Sequence, residues 1–141
     1  MGGRTLVDTM PVNILLVEDD EVDIENVRRA LRKRKIANPL FVARDGLEAL
    51  ELLEREQVTA PVMILLDINM PRMDGLEFLK RIRKDDQHKN HTVFVLTTSA
   101  RLSDLYQAYD LSVSGYMMKS DVGDAFIEAL ELVDDYWRVI E

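Results

Sequence analysis

The sequence predicts an α/β fold, a doubly wound (βα)₅ domain whose five parallel strands form one sheet with helices on both faces. Short apolar runs without alternation recur along the chain, as expected for strands that are buried on both faces. Between them lie segments of about ten to fifteen residues with apolar side chains at helical spacing, which makes the chain a series of right-handed βαβ units. The common strand order at this size is 2-1-3-4-5, counted along the chain.

The predicted elements alternate from the first strand to the last helix. The strands are predicted at residues 13–17, 40–43, 62–66, 93–96 and 113–118. The helices are predicted at residues 21–35, 45–56, 75–84, 102–111 and 122–140. The helical spacing is carried by Ile24, Val27 and Leu31 in the first helix, Leu47, Leu50 and Leu53 in the second, and Leu76, Leu79 and Ile82 in the third. Asp20 directly precedes the first helix and is expected to cap it.

Length and composition limit the possible architectures and partners. The 141 residues suit a single domain, predicted over residues 12–141, with residues 1–11 as a flexible leader and no output domain. The net charge of −8 argues against nucleic acid and anionic membranes as partners. The absence of cysteine excludes disulfides, thiolate zinc sites and thiol nucleophiles. No apolar run approaches the roughly 20 residues of a membrane span, and no secretion signal precedes the domain, so we expect a cytoplasmic protein.

Polar residues collect where the predicted strands end. Glu18 and Asp19 follow the first strand, Asp67 the third, Thr97 the fourth and Lys119 the fifth. A single Asp at a strand end is usually a helix cap or a solvated turn residue, but the conjunction is not a generic packing solution. Ligands of open α/β sheets bind beyond the carboxyl ends of the strands, and carboxylates that converge there repel one another unless a cation lies among them. Their oxygen atoms suit Mg²⁺ or Mn²⁺.

With these residues, the chain resembles a response-regulator receiver domain, which has a flavodoxin-like fold, from Asn13 to about Trp137. The matching residues are the Glu18-Asp19 pair, the segment 67–75, Thr97 and the segment 115–119. Details at residues 18–23, 96–99 and 126–137 are similar to small stand-alone receivers that serve phytochrome-type histidine kinases. The resemblance implies a phosphoacceptor of a two-component system, which signals by a changed surface or by phosphorelay and is not a turnover enzyme.

The resemblance also implies a role for each site residue. Asp67 would accept the phosphoryl group from a histidine kinase, while Thr97 and Lys119 would contact the phosphoryl oxygens. The metal, Mg²⁺ with Mn²⁺ as the alternative, would be bound by Glu18, Asp19, Asp67 and the backbone carbonyl of Asn69. Tyr116 would turn inward as Thr97 moves, so these two residues form the predicted switch.

Two residues depart from the family pattern. Ser120 follows Lys119 where the family usually has a proline joined through a cis bond, which raises the question of how Lys119 is positioned. Thr98 stands where a very small residue is common, and its side chain could narrow the access to Asp67.

Other functions have specific points against them. An aspartyl-phosphate phosphatase or phosphotransferase on a similar sheet needs a second Asp two residues past the nucleophile, where this chain has Asn69. A flavin-binding module would place a phosphate against the acidic loop after the first strand. His88 and His91 have no third zinc ligand nearby in sequence. A basic face on the first predicted helix is interpreted as a solvated surface or a kinase-docking surface, and it consists of Arg28, Arg29, Arg32, Lys33, Arg34 and Lys35.

The last predicted helix carries a long apolar stripe. Its members are Phe126, Ala129, Leu130, Val133, Tyr136, Trp137 and Ile140. The last three would project past the edge of the domain, beside Leu105, Tyr106 and Tyr109 of the preceding predicted helix. Monomers seldom expose such clusters, so we expect a homodimer through the face of the fourth and fifth predicted helices, independent of phosphorylation.

Overall fold

The computed structural model describes residues 10–67, 75–97, 113–119, 122–133 and 137–138. Its strands are β1 (Met10–Pro11), β2 (Asn13–Val17), β3 (Leu40–Ala43), β4 (Val62–Asp67), β5 (Thr92–Thr97), β6 (Gly115–Met118) and β7 (Trp137–Arg138). The helices in these ranges are α1 (Glu21–Lys33), α2 (Gly46–Glu54), α3 (Gly75–Arg83) and α4 (Val122–Val133). The predicted helix at 102–111 lies outside them. No helix of the described ranges is long and apolar enough to cross a membrane.

The main sheet has five parallel strands in the order β3-β2-β4-β5-β6. Both the fold class and the 2-1-3-4-5 order predicted from the sequence are confirmed. The predicted positions of the five strands agree closely with the structure, and the largest difference is that β6 begins at Gly115 rather than at residue 113.

The continuous apolar runs arise because the sheet has a hydrophobic core on each face. In β2, Leu15 and Val17 pack into the core that contains Phe78 and Leu79 of α3. Ile14 and Leu16 point to the opposite core, which includes Phe126 of α4. Successive side chains of a strand point to opposite faces, so a strand covered on both sides must be apolar at every position.

Helices α1 and α2 each end two residues earlier than the sequence predicts. The cause is a left-handed residue after each helix, Lys35 with φ 57° and Glu56 with φ 55°. After α1, the N–H of Lys35 donates to the carbonyl of Arg32 and the N–H of Ile36 to that of Leu31, the pattern of a Schellman motif. That position usually holds glycine, and because neither helix is followed by one, residue type does not mark where these helices end.

Helix α4 is shorter than predicted. It ends at Val133, and Trp137–Arg138 instead form β7, which pairs in parallel with β1. The prediction that Trp137 lies on a helical stripe is therefore wrong. Tryptophan favours strands, and in the structure the pairing of Trp137 with Met10 outweighs the helical spacing of the apolar residues. Met10 and Pro11, which the sequence placed in a flexible leader, are the partners of β7.

Gly123 sets the spacing between α4 and α1. A Cβ atom on Gly123 would lie 2.7 Å from the carbonyl oxygen of Ala30. Because Ala is a better helix former than Gly by about 1 kcal/mol, Gly123→Ala would stabilise α4 if the helix were isolated. We expect the substitution instead to lower the free energy of unfolding by about 1–3 kcal/mol, since the two helices must separate. Urea unfolding measures this difference.

Glu128→Ala is the matched control, because Glu128 lies in the same helix and is exposed. We expect it to change the free energy of unfolding by less than about 0.5 kcal/mol. A Gly123→Ala protein as stable as wild type would show that α1 and α4 are not in close contact at Gly123 and Ala30.

Candidate functional site

The register of the sheet brings the predicted site residues to one edge. Val17 of β2 pairs with Leu66 of β4, so Glu18 is level with Asp67. Thr97 of β5 pairs with Met118 of β6, so Lys119 follows directly at the same edge. Parallel strands end on the same side of the sheet, which is why residues far apart in sequence meet here.

Three carboxylates form a compact cluster at this edge. One carboxylate oxygen each from Glu18, Asp19 and Asp67 lies within 4.8 Å of the others, a spacing that could hold a metal ion. Glu18 and Asp67 are buried, whereas Asp19 is exposed and opens the cluster to solvent. The cluster therefore combines a buried floor with an accessible side.

The ammonium group of Lys119 lies among these carboxylates. Its Nζ is 3.0 Å from Oε1 of Glu18 and 3.5 Å from Oδ2 of Asp67. Its shortest contact, 2.8 Å, is with Oδ2 of Asp23 in the first turn of α1. No role for Asp23 is predicted from the sequence. The Asp20 side chain caps α1, as predicted, by accepting from the N–H of Asp23 at 3.0 Å. Asp23 lies three residues after this predicted cap, and that spacing is the signal in the sequence that places it in the first turn of α1.

Burial and neighbouring charges shift the pKa values of this group. Burial, with the nearby carboxyl groups of Asp67 and Asp23, raises the pKa of Glu18 to about 9 although Lys119 opposes the shift. The hydrogen bond from Lys119 lowers the pKa of Asp23 below its ordinary value. Burial disfavours the charged form of Lys119, but its bonds to Asp23 and Glu18 outweigh that effect and raise its pKa.

The site fits a divalent cation. The ammonium of Lys119 contacts the carboxylates of Asp23, Glu18 and Asp67, and Asp19 adds a fourth carboxylate to the site. The site therefore carries an excess of negative charge. Oε2 of Glu18 is buried and has no hydrogen-bond partner among the described residues. A buried carboxylate oxygen without a partner is costly, and a hard cation is a partner it can accept.

Of the remaining residues singled out from the sequence, Thr97 and Tyr116 lie within the described part of the chain and several others do not. Thr97 ends β5 at the site edge, and Tyr116 lies on β6 with 48% of its surface exposed. Asn69, Thr98 and Ser120 lie outside the described residues, as do Tyr106, Tyr109, Tyr136 and Ile140.

The two histidines belong to the turn between α3 and β5, at the opposite end of β5 from Thr97. His88 Nδ1 and His91 Nε2 are 2.9 Å apart. Burial and the neighbouring His88 lower the pKa of His91 to about 4. This pair is not part of the acidic site.

Comparison with known proteins identifies related sequences. A sequence model described as the response regulator receiver domain matches residues 14–131. The response regulator Rcp1 of Synechocystis sp. is 35% identical over 131 residues, which cover 90% of this chain and 89% of Rcp1.

Solved structures agree with these matches. The crystal structure of the Mn²⁺-bound form of Rcp1 has a TM-score of 0.73 and 34% identity, covering 94% of this chain and 100% of that one. The structure of the bacteriophytochrome response regulator AtBRR has a TM-score of 0.80 and 33% identity, and the match covers 94% of this chain and 99% of the AtBRR chain.

Proposed function

The chain belongs to the response regulator receiver family, and from this premise we propose that Asp67 is the phosphoacceptor of a two-component system. The observation that supports this role is the position of Asp67, a buried carboxylate at the end of β4 beside Glu18 and Asp19 and 3.5 Å from the ammonium of Lys119. As a partner of a histidine kinase, the protein would act in the cytoplasm.

In the proposed reaction, a carboxylate oxygen of Asp67 attacks the phosphorus atom of a phosphohistidine on the kinase. The bond from phosphorus to the imidazole nitrogen breaks, and Asp67 becomes an acyl phosphate. Lys119 would pair with the phosphoryl oxygens as a point charge, and Thr97 would donate its hydroxyl to them. Glu18, Asp19, Asp67 and the carbonyl of Asn69 would hold Mg²⁺, which supplies charge neutralisation for the phosphoryl oxygens. Mn²⁺ is the alternative ion, in keeping with the Mn²⁺-bound form of Rcp1.

The signal would leave the site through β5 and β6. Thr97 ends β5, and Tyr116 on the neighbouring strand pairs with Val95. Movement of Thr97 toward the phosphoryl group would open space for Tyr116, whose exposed surface would then decrease. The changed surface would act on another protein, or the phosphoryl group would pass onward in a phosphorelay.

We do not propose a turnover enzyme. An aspartyl-phosphate phosphatase needs an acid/base carboxyl two residues after the nucleophile, and Asn69 occupies that position. The kinase partner is proposed to be of the phytochrome type, because the similar chain AtBRR is a bacteriophytochrome response regulator.

Acetyl phosphate tests the proposal directly, because it donates a phosphoryl group without a kinase. Intact-mass spectrometry of the protein with acetyl phosphate and Mg²⁺ should show the addition of one phosphoryl group. The addition should disappear when a chelator removes the ion, because the acidic cluster then lacks its neutralising charge. Equal phosphorylation with and without chelator would refute the metal-dependent mechanism.

Homodimerisation through the predicted aromatic face remains a proposal, supported by the aromatic and apolar residues at 105, 106, 109, 136, 137 and 140. We expect sedimentation at micromolar concentration to give a dimer with or without acetyl phosphate, and Trp137→Ala to weaken it. A wild-type monomer, or a Trp137→Ala protein that dimerises equally well, would contradict the proposal. Because Trp137 lies in β7, Trp137→Ala would also affect the pairing of β7 with β1. A circular dichroism spectrum of the variant must therefore show that the fold is retained.

A further inference from the structure

Among the described residues, the carboxylate nearest to the Lys119 ammonium is that of Asp23, which is not a member of the acidic cluster of Glu18, Asp19 and Asp67. The distance from Nζ to Asp23 Oδ2 is 2.8 Å, against 3.0 Å to Glu18 and 3.5 Å to Asp67. Both side chains of the Asp23–Lys119 pair are largely shielded from solvent, with exposures of 26% and 14%. This shielding distinguishes the pair from the exposed ion pair of Arg28 and Glu25 on the same helix, with 41% and 50% exposure.

The three carboxylates around Lys119 would not remain equally available to it. When a divalent ion occupies the cluster, Glu18 and Asp67 become its ligands and their charge is shared with the ion. Asp23 is not a member of that cluster, so its carboxylate stays available to the ammonium. Lys119 then keeps one full hydrogen-bonded partner at the edge of the site.

The backbone of α1 fixes the position of Asp23. Its N–H donates to Oδ1 of Asp20, the residue that caps the helix, so the first turn of α1 is held in place. The loop after β2 carries Glu18 and Asp19 and leads directly into this turn. The restraint on the Lys119 ammonium therefore comes from the first turn of α1.

We propose that Asp23 is a positioning residue of the phosphoacceptor site: its carboxylate holds the ammonium of Lys119 beside Asp67 while the metal ion engages Glu18 and Asp67. The proposal rests on the proposed function, because it takes the phosphoryl oxygens as the group that Lys119 meets. Without Asp23, the ammonium would be shared between metal ligands or released toward solvent, and fewer molecules would present it to the phosphoryl group.

The first arm of the test observes Lys119 without any phosphoryl chemistry. NMR detection of the lysine ammonium protons in the protein saturated with Mg²⁺ should give a signal from Lys119 that exchanges slowly with water, identified by its loss in Lys119→Met. Asp23→Asn should abolish this slow exchange, and Glu25→Gln should not, although it removes the same charge from the same helix. Slow exchange that survives in Asp23→Asn would overturn the proposal.

The second arm measures the function of the pair with beryllofluoride, which occupies the place of a phosphoryl group, at saturating Mg²⁺. Asp23→Asn should weaken beryllofluoride binding about 5- to 10-fold, as expected for loss of a positioned charge. Asp23→Glu should recover most of the affinity, and Glu25→Gln should match wild type. In the Lys119→Met background, Asp23→Asn should cause no further loss, because the double-mutant cycle then lacks the contact it tests.

Saturation with Mg²⁺ removes any effect of the Asp23 charge on metal affinity from this comparison. Equal losses from Asp23→Asn with and without Lys119 would overturn the positioning role, as would beryllofluoride binding by Asp23→Asn that equals wild type. A wild-type protein that binds no beryllofluoride would overturn the proposed function, and this role with it. Wild-type binding that weakens in Lys119→Met but not in Asp23→Asn would overturn the role of Asp23 alone.

Discussion

Asp67→Asn is expected to lower phosphorylation by acetyl phosphate at least about 100-fold, to the limit of detection, because an amide oxygen is a far weaker nucleophile than a carboxylate. The substitution preserves the shape of the side chain at the end of β4. It also leaves the Glu18 and Asp23 carboxylates around Lys119, so the ammonium keeps its shorter contacts and we expect the fold to persist. Intact-mass spectrometry with acetyl phosphate and Mg²⁺ measures the result.

Asp86→Asn is the control for nonspecific effects of a lost charge. Asp86 lies before β5 and its side chain is 98% exposed, so its variant should gain the phosphoryl group as wild type does. If Asp67→Asn gained the same mass as wild type, the acceptor would be a different residue. Asp19 would then be the first candidate, since it is the exposed member of the cluster.

Lys119→Ala is expected to destabilise the protein when no divalent ion is bound and to weaken its response to a phosphoryl mimic. Without a divalent ion, the buried Glu18 and Asp67 lose their cationic neighbour, and the free energy of unfolding should fall by about 1–3 kcal/mol. Mg²⁺ should restore much of this loss, because it binds the folded state at the same carboxylates. Its affinity should be unchanged or slightly higher, since a competing cation is gone. Urea unfolding with and without Mg²⁺ measures both effects.

The response to beryllofluoride should be strongly weakened in the same variant, because no ammonium remains to meet the phosphoryl mimic. Lys89→Ala is the control, since Lys89 is an exposed lysine paired with Asp86 and should change stability by less than about 0.5 kcal/mol. A normal conformational change of Lys119→Ala with beryllofluoride would show that Lys119 does not couple the site to the switch.

The edge of the sheet at which the site lies was predictable from the sequence, because the site residues stand at or just after the ends of strands. An apolar run that stops at Glu18, at Asp67 or before Lys119 marks the carboxyl end of a buried strand, and parallel strands place all such ends together. The two-sided core made these strand ends easy to find, since both faces require apolar residues up to the last position.

Contacts from helices were harder to predict. Asp23 reaches the site from the first turn of α1, and only the packing of that helix against the sheet shows that its side chain meets Lys119. The C-terminal ends of α1 and α2 are followed by Lys35 and Glu56 in a left-handed conformation that glycine usually adopts. Residue type therefore did not indicate where these two helices end. At Trp137, a helical spacing of apolar residues continued past the end of α4, and the pairing with β1 prevailed.

The contact between Glu18 and Lys119 joins positions 101 residues apart, and that between Asp23 and Lys119 spans 96. Closing so long a chain segment has an entropic cost, and folding rates fall as contacts become less local. The acidic cluster needs only β2 and β4, which are sheet neighbours, whereas the ammonium arrives with β6 at the sheet edge. A partly folded chain could thus bind an ion before it can hold a phosphoryl group. Competence for phosphorylation would therefore appear only when the last strand of the sheet has docked.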